Sequence, residues 1–272
     1  MTFTNLGDSA HRQEDYEIDL ELLPHLWRME EKHFWHAARN QWILHALRAY
    51  GCRPPAAFLE VGCGSGAVAL ALSEVGYEVT GVDTAEPMLR KASSRMPAVR
   101  FLLGDVAALP KPYQGPYDVI GLFDVLEHLD SPEVLLTNTL KWSKPGSVVI
   151  VTVPAVQSLY SMVDRISGHK CRYEVDQLRS LMQSCGLGQV EVHGIFRSIL
   201  PLLKLRRSGP VEESSSLERR RDLMRKDFRI PNPVVNSMLY GLSCAERVLG
   251  YALAKGRPGA SLIAVGRVAS LE

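Results

Sequence analysis

The sequence is short of paired cysteines, of long apolar runs and of net charge, and each shortage excludes something. Its five cysteines (Cys52, Cys63, Cys171, Cys185, Cys244) are scattered, with no CxxC pair. A disulfide framework or a cysteine-built zinc site is therefore not expected, and a reducing, cytoplasmic setting fits. No stretch has the length of a membrane span, and Met1 to Glu17 is polar and acidic, without the apolar run of a signal peptide. Lys and Arg number 31 against 30 Asp and Glu, a formal charge of +1, so nothing global points to nucleic acid and any basic patch must be local. What is present is 46% hydrophobic and 22% charged residues, enough for a sizeable core in one large α/β domain or two small ones.

Residues 1–16 read as a loosely attached lead, and Ile18 to Tyr50 as helical. Leu22, Leu26 and Met29, then Trp42, Ile43, Ala46 and Leu47, recur at helical spacing, with the aromatic cluster His33-Phe34-Trp35-His36 between them. From Ala56 short apolar runs alternate with helical stretches, the pattern of βαβ units and a parallel sheet. Strands are expected near 57–61, 78–82, 99–103, 118–123, 148–153 and 189–195, with a closing strand at 261–268. Helices are expected near 67–75, 85–96, 132–142 and 174–185. Residues 197–259 form an insertion before the last strand. It opens on an apolar run ending in Arg206-Arg207 and closes on a helix, about 233–253, with Val235, Met238, Leu242, Ala245 and Leu249 on one face. The expected division is an N-terminal helical cap or lid (1–50), a core (51–196), the insertion (197–259) and the closing strand (260–270).

The first core strand ends in Glu60 and runs into Gly62-x-Gly64-x-Gly66, followed by a small-residue helix. Glycines let the backbone approach a ligand closely, and the helix start offers free N–H groups. Gly62, Gly64 and Ala67 also satisfy a dinucleotide fingerprint. Glu60 argues against that reading, because a carboxylate repels a pyrophosphate but suits a ligand with an ammonium group. The second strand ends in Asp83, able to accept two ribose hydroxyls. The third ends in Gly104-Asp105-Val106, where Asp105 is a candidate for an adenine amino group and the Val106 N–H for the ring. Each acid alone has a bland explanation as a turn or cap residue. Three of them at successive strand ends point to a ligand at the carboxyl edge of the sheet.

The fourth strand continues into Asp124-Val125-Leu126-Glu127-His128-Leu129. In this order and spacing, E-V-G-C-G-S-G, G-V-D, G-D-V and D-V-L-E-H-L resemble the class I S-adenosylmethionine-dependent methyltransferases, over roughly residues 30–195. The similarity is to small-molecule enzymes of the ubiquinone and menaquinone biosynthesis type. It implies a Rossmann-like α/β fold with a seven-stranded, mostly parallel sheet and an antiparallel last strand, N-terminal helices, and a helical insertion before that strand. The implied cofactor is S-adenosylmethionine, with S-adenosylhomocysteine as product. Residue by residue, Glu60, Gly62, Cys63 and Gly64 would line the methionine moiety. Asp83 and Thr84 would face the ribose, with Met88 nearby, and Gly104, Asp105 and Val106 the adenine. Phe123 and Asp124 would sit beside the sulfonium, and Arg39 would hold the cofactor carboxylate unless it is a solvated helix charge.

Methyl transfer needs the acceptor held in line and, for a hydroxyl or amine, a base. His128 and His169 are the candidates, each with a structural role as the alternative. Asp124, Glu127, His128 and His169 also resemble the E-x-x-E-H plus histidine set of metal-assisted relatives, with aspartate in place of the first glutamate; no metal ligand is assigned, and a divalent ion stays an alternative. The expected reaction is methylation of a small molecule, apolar or natural-product-like, at oxygen ahead of carbon or nitrogen. A nicotinamide-dependent oxidoreductase, a non-catalytic S-adenosylmethionine-binding partner and an RNA 2′-O-methyltransferase are the rivals; nucleic acid is disfavoured by the balanced charge. Residues 197–229, apolar beside basic, could contact a membrane surface. The favoured reading is that they wall the substrate pocket or form a homodimer contact, with the arginines solvated among Glu212, Glu213, Glu218 and Asp222.

Overall fold

A computed structural model describes residues 3–6, 19, 21–108, 115–206 and 216–269. Its frame is one sheet built from strands β1 (Thr4–Asn5), β2 (Ala57–Val61), β3 (Glu78–Asp83), β4 (Arg100–Leu103), β5 (Tyr117–Phe123), β6 (Ser143–Pro154), β7 (Leu187–Ile195) and β8 (Ser261–Val268). The spatial order is β1-β4-β3-β2-β5-β6-β8-β7. β1 through β6 pair in parallel, and β8 enters antiparallel between β6 and β7. The implied class I methyltransferase sheet is thus present, with one strand more than the seven expected. The extra strand is β1, inside the stretch read as a loose lead. It pairs only Thr4 with Leu102 and Asn5 with Leu103, too short and too polar to show an alternating pattern.

The central strands are buried on both faces, so they read as near-continuous apolar runs rather than alternating ones. Their side chains still alternate in direction. Phe58, Val119, Ile150 and Ile263 enter one core layer, and Leu59, Ile120, Val149 and Leu262 the other. The first layer lies under α2 (Phe34–Ala49), α3 (Ala67–Glu74) and α4 (Glu86–Arg95). The second lies under α5 (Pro132–Leu140) and α7 (Val175–Ser184). Helix α1 (Leu23–Lys32) precedes α2, and the short α6 (Met162–Ile166) precedes α7.

The insertion supplies α8 (Leu200–Arg206), α9 (Leu217–Asp227) and α10 (Pro233–Ala254). α9 is a helix that the sequence reading did not mark. Ser216 caps it by accepting the Arg219 N–H, and Met224 is buried toward α6. Arg207, Glu212 and Glu213 lie outside the described residues. α10 packs on α2 and β7, yet Val235, Met238, Leu242 and Leu249, read as one face, point to solvent.

The chain order reverses between β4 and β5, which leaves β2 and β5 adjacent at the switch point of the sheet. Ligands of such sheets bind outside the carboxyl ends of the strands at this crevice. The segments after β2, β3, β4 and β5 all arrive there.

Candidate active site

The turn after β2 bends because Gly62 (φ +72°) and Gly66 (φ +78°) take left-handed conformations. A side chain at Gly62 would also meet Val125 Cγ2 at 2.6 Å, and one at Gly66 would overlap Met96 Cε. The Gly62 and Cys63 N–H groups donate to the Val82 carbonyl (2.8 and 3.1 Å), and Gly64 N–H donates to Asp83 Oδ2 (2.7 Å). Met88 packs 3.6 Å from where a Gly64 Cβ would stand. The Cys63 thiol turns away, into the core against Gly81, where burial pushes its pKa well up.

Glu60 is buried, and its Oε2 has no hydrogen-bond partner. Burial pushes its carboxyl up to about 8, with Arg39 opposing and Asp83 reinforcing. Asp83 accepts the Ala85 N–H at Oδ1 (2.8 Å) besides Gly64. Burial raises its pKa and these N–H groups, with that of the exposed Thr84, offset it. A carboxylate has about four acceptor positions, so three N–H donors do not exhaust it. At the end of β4, Asp105 accepts the Ala107 N–H (2.8 Å), Val106 is buried, and Leu6, just after β1, covers Gly104.

The end of β5 is held by an unusual residue conformation. Asp124 has φ +56°, and its N–H donates to the Thr152 carbonyl (2.9 Å). Its side chain pairs with Arg39 and accepts the Thr152 hydroxyl (3.0 Å). Burial alone would raise the Asp124 pKa, but Arg39 and Thr152 together hold it below the ordinary value. Arg39 is therefore a buried, ion-paired residue rather than a solvated helix charge, and its Nε carries no partner. The Phe123 ring folds back over Gly121 toward Phe58, inside the core.

The turn Leu126–His128 then brings Glu127 inward. It is wholly buried, neither carboxyl oxygen has a partner, and burial first, then Asp124, lifts its pKa well above the usual range. His128 and His169 meet edge to face, with ring centroids 4.8 Å apart. Burial, then His169, holds His128 down to about 4, so it is neutral at neutral pH. His169 Nδ1 lies 3.1 Å from Asp164 Oδ1. Asp164 in turn accepts from Arg172 Nε (2.9 Å) and the Ser161 hydroxyl (2.8 Å). One donor atom each from Glu127, His128 and His169 lies within 4.8 Å of the others. Asp124 is not in that group.

Helices α1 and α2 cross this end of the sheet. Ser65 in the glycine turn donates to Glu30, Asn40 Nδ2 donates to the Ala67 carbonyl (3.2 Å), and Arg39 reaches Asp124. His36, whose pKa burial and then Arg39 lower to about 3, lies in the field of Asp124. In the aromatic cluster around it, Phe34 is core and Trp35 stacks on Phe196 at 4.0 Å. Glu30, Ser65, Thr152, Asp164 and Arg172 were not assigned roles from sequence: Ser65 lies inside the glycine motif and Thr152 inside an apolar strand, and the partners of all five are distant in sequence or carry no local pattern. A cavity of about 940 Å³, lined by Glu78, Arg100 and Tyr117 among others, opens at the amino ends of β3 to β5, away from this chemistry.

Comparison with known proteins agrees with this arrangement. The methyltransferase-domain family model matches residues 34–192. A ubiquinone biosynthesis O-methyltransferase of Albidiferax ferrireducens is 30% identical over 148 residues, 53% of this chain; the match spans only 54% of that relative's length. A Mycolicibacterium smegmatis protein named "Probable S-adenosylmethionine-dependent methyltransferase" is 26% identical over 68% of this chain and 72% of its own length. The Haemonchus contortus phosphoethanolamine N-methyltransferase 2 complex with S-adenosyl-L-methionine superposes with a TM-score of 0.53, at 18% identity, covering 85% of this chain and 53% of that one, a likeness of fold. The glycine turn, the acids at three strand ends and the antiparallel closing strand thus have one common explanation: this chain belongs to the methyltransferase-domain family, with the class I S-adenosylmethionine-dependent fold.

Proposed function

We propose that this protein transfers a methyl group from S-adenosylmethionine to a small-molecule acceptor, at oxygen in preference to carbon or nitrogen. The observation that carries the reading is Glu60, a buried carboxyl with an unpartnered oxygen beside a glycine turn, at the switch point of the sheet. A buried acid left without a partner calls for a cation, and the cofactor's ammonium is one. A dinucleotide would bring a pyrophosphate to the same place.

Bound S-adenosylmethionine supplies a methyl group already activated on a sulfonium. The chain's own residues bind and orient. Glu60 takes the ammonium, Asp83 the ribose hydroxyls with its remaining acceptor positions, and Asp105 and the Val106 N–H the adenine. Arg39, through its unpartnered Nε, can add a carboxylate to its pairing with Asp124. Helices α1 and α2 act as a lid that excludes water. His128, neutral and half-buried, is the candidate to take a proton from the acceptor hydroxyl, with His169 beside it held by Asp164. A neutral base serves a hydroxyl or an amine alike, and the similarity to a ubiquinone biosynthesis O-methyltransferase is what favours oxygen.

Titration calorimetry with S-adenosylhomocysteine and with NAD, followed by a screen of acceptors with methyl-labelled cofactor, tests the reading. Binding of S-adenosylhomocysteine alone, with label transferred to a small acceptor, is expected. Binding of NAD in its place, or cofactor binding without turnover on any acceptor class, would favour the oxidoreductase or the non-catalytic partner.

A second reading rests on Glu127. Its two unpartnered oxygens, together with His128 and His169, make a donor set of one carboxylate and two imidazoles, which fits a divalent cation such as Mn²⁺ or Zn²⁺. Such an ion would lower the pKa of an acceptor hydroxyl. Binding of Mn²⁺ or Zn²⁺ by the protein, abolished in Glu127→Gln, is expected on this reading. Activity that survives exhaustive chelation and ignores added metal counts against it.

A further inference from the structure

Helix α10 is amphipathic in the inverted sense. Its inner face carries the polar groups. Asn236 Oδ1 accepts the Phe34 N–H (2.9 Å), Ser243 accepts from Trp42 Nε1 (3.2 Å), and Glu246 accepts the Arg197 N–H (2.8 Å). Glu246 and Arg247 are the helix's two charged residues, and both are half-buried against the body of the protein. The outer face carries Val234, Met238, Gly241, Leu242, Ala245, Val248, Leu249 and Leu253 at helical spacing, all exposed and none charged. Met238 is 68% exposed and Leu249 80%. Of the eleven exposed large hydrophobic side chains among the described residues, seven lie on this one helix, so they form a single stripe rather than the scatter of an ordinary surface.

The surroundings of the stripe are basic. Arg229, just before the helix, and Arg257, just after it, are both exposed, as are Arg225 and Lys226 at the end of α9. Residues 197–257 hold thirteen Lys and Arg against six Asp and Glu, although the whole chain is balanced to +1. The positive charge is thus concentrated in the segment that bears the uncovered apolar face. No helix of the described residues is long and apolar enough to cross a membrane, and one face of α10 is already occupied by protein. An apolar stripe flanked by cations lies in the plane of an interface, its side chains among acyl chains and its cations at anionic headgroups.

We propose that the outer face of α10 docks this protein onto an anionic lipid bilayer. A second copy is the weaker occupant on the charge pattern. An isologous contact, with the two helices antiparallel across a two-fold axis, brings Arg229 of one copy toward Arg257 of the other and sets like against like. Lipid phosphates turn the same cations into attraction. The apolar stripe lies beyond residues 197–229, where the sequence alone suggested a membrane contact; within that segment Ile199 is buried and Arg221 is engaged with Asp19 and Glu21, while Arg225, Lys226 and Arg229 stay exposed.

The test uses the full chain and needs neither cofactor nor acceptor, so it stands apart from the methyl-transfer reading. The protein is sedimented with phosphatidylcholine vesicles, with and without about one third phosphatidylglycerol, while its oligomeric state is read by light scattering. Sedimentation with the anionic vesicles that weakens as salt is raised is expected. Met238→Glu/Leu249→Glu, which changes only exposed positions, should lower that binding about tenfold or more. Its far-ultraviolet spectrum and melting temperature should match wild type. Three results would overturn the proposal: no binding to anionic vesicles at low salt, equal binding by the double variant, or a dimer that the double variant splits while neither form binds vesicles.

Discussion

Glu60 holds its proton in the cofactor-free protein, and that has two consequences of opposite sign. Burial lifts its pKa from an ordinary 4.5 to about 8. Between those values the folded chain keeps a proton that the unfolded chain has released, so Glu60's contribution to stability is full below the lower value and is lost as pH rises through the upper one. A cationic ligand reverses the preference, because an ammonium favours the carboxylate. S-adenosylhomocysteine should therefore bind more tightly at pH 8 than at pH 6, with proton release measurable by calorimetry in buffers of different ionisation heat. Glu60→Gln should weaken binding by about tenfold to a hundredfold, the worth of a charge-assisted hydrogen bond, and remove that proton release. Equal affinity and equal proton release in the variant would exclude Glu60 from the site.

His128 leads to a different pH expectation. Its pKa near 4 leaves it a neutral base throughout the physiological range. Its own titration should leave the rate flat from about pH 6 to 8, where an ordinary histidine would bend it. His128→Ala should lower kcat about a hundredfold or more for a hydroxyl acceptor while leaving S-adenosylhomocysteine affinity within about twofold. A kcat close to wild type on such an acceptor would reduce His128 to a packing residue.

At the scale of elements, the joint between α1 and α2 is pinned from outside the cofactor core. Asn236 on α10 accepts the Phe34 N–H and donates Nδ2 to the Lys32 carbonyl (2.9 Å each). Asn236→Ala leaves both groups to water and should cost about 1–2 kcal/mol in urea unfolding. It should also weaken cofactor binding, since α2 carries Arg39; an unchanged affinity would mean that the joint and the site are independent. This pin explains what was legible in the sequence and what was not. Strands β2 to β6 announce themselves because buried parallel strands are apolar runs, and β8 because it is buried between β6 and β7; Glu60, Asp83 and Asp105 are legible because they stand at or just past the carboxyl ends of such runs. Asn236, Glu30 and Asp164 act across long sequence separations on partners that no local pattern names. β1 is too short to carry a periodicity at all. The apolar face of α10 was legible as a face, but its direction was not: the spacing is the same whether the stripe points into the protein or out of it, and only the packing of the opposite face on α2 decides.

For the whole molecule, the proposed cofactor site has the N-terminal helices tied across the carboxyl edge of the sheet by three contacts. Glu30 accepts from Ser65 in the glycine turn, Asn40 reaches Ala67 at the start of α3, and Arg39 is tied to Asp124 at the end of β5. Each links α1 or α2 to a different segment of the carboxyl edge, and on the proposed reading these are the contacts a cofactor would loosen on entry and re-form once bound. Of the three, Glu30 with Ser65 is the contact made by α1, and burial raises the Glu30 pKa. Glu30→Ala is expected to speed both association and dissociation of S-adenosylhomocysteine in stopped-flow measurements, by about threefold to tenfold each, because a lid changes the barrier more than the end states. The equilibrium constant should move much less than either rate. Hydrogen exchange should agree, with cofactor slowing amide exchange in α1 and in residues 62–66 far more than in β6 and β8, which are buried with or without ligand. If Glu30→Ala alters dissociation alone and leaves association unchanged, α1 is a wall of the pocket and the closing contacts play no part in entry.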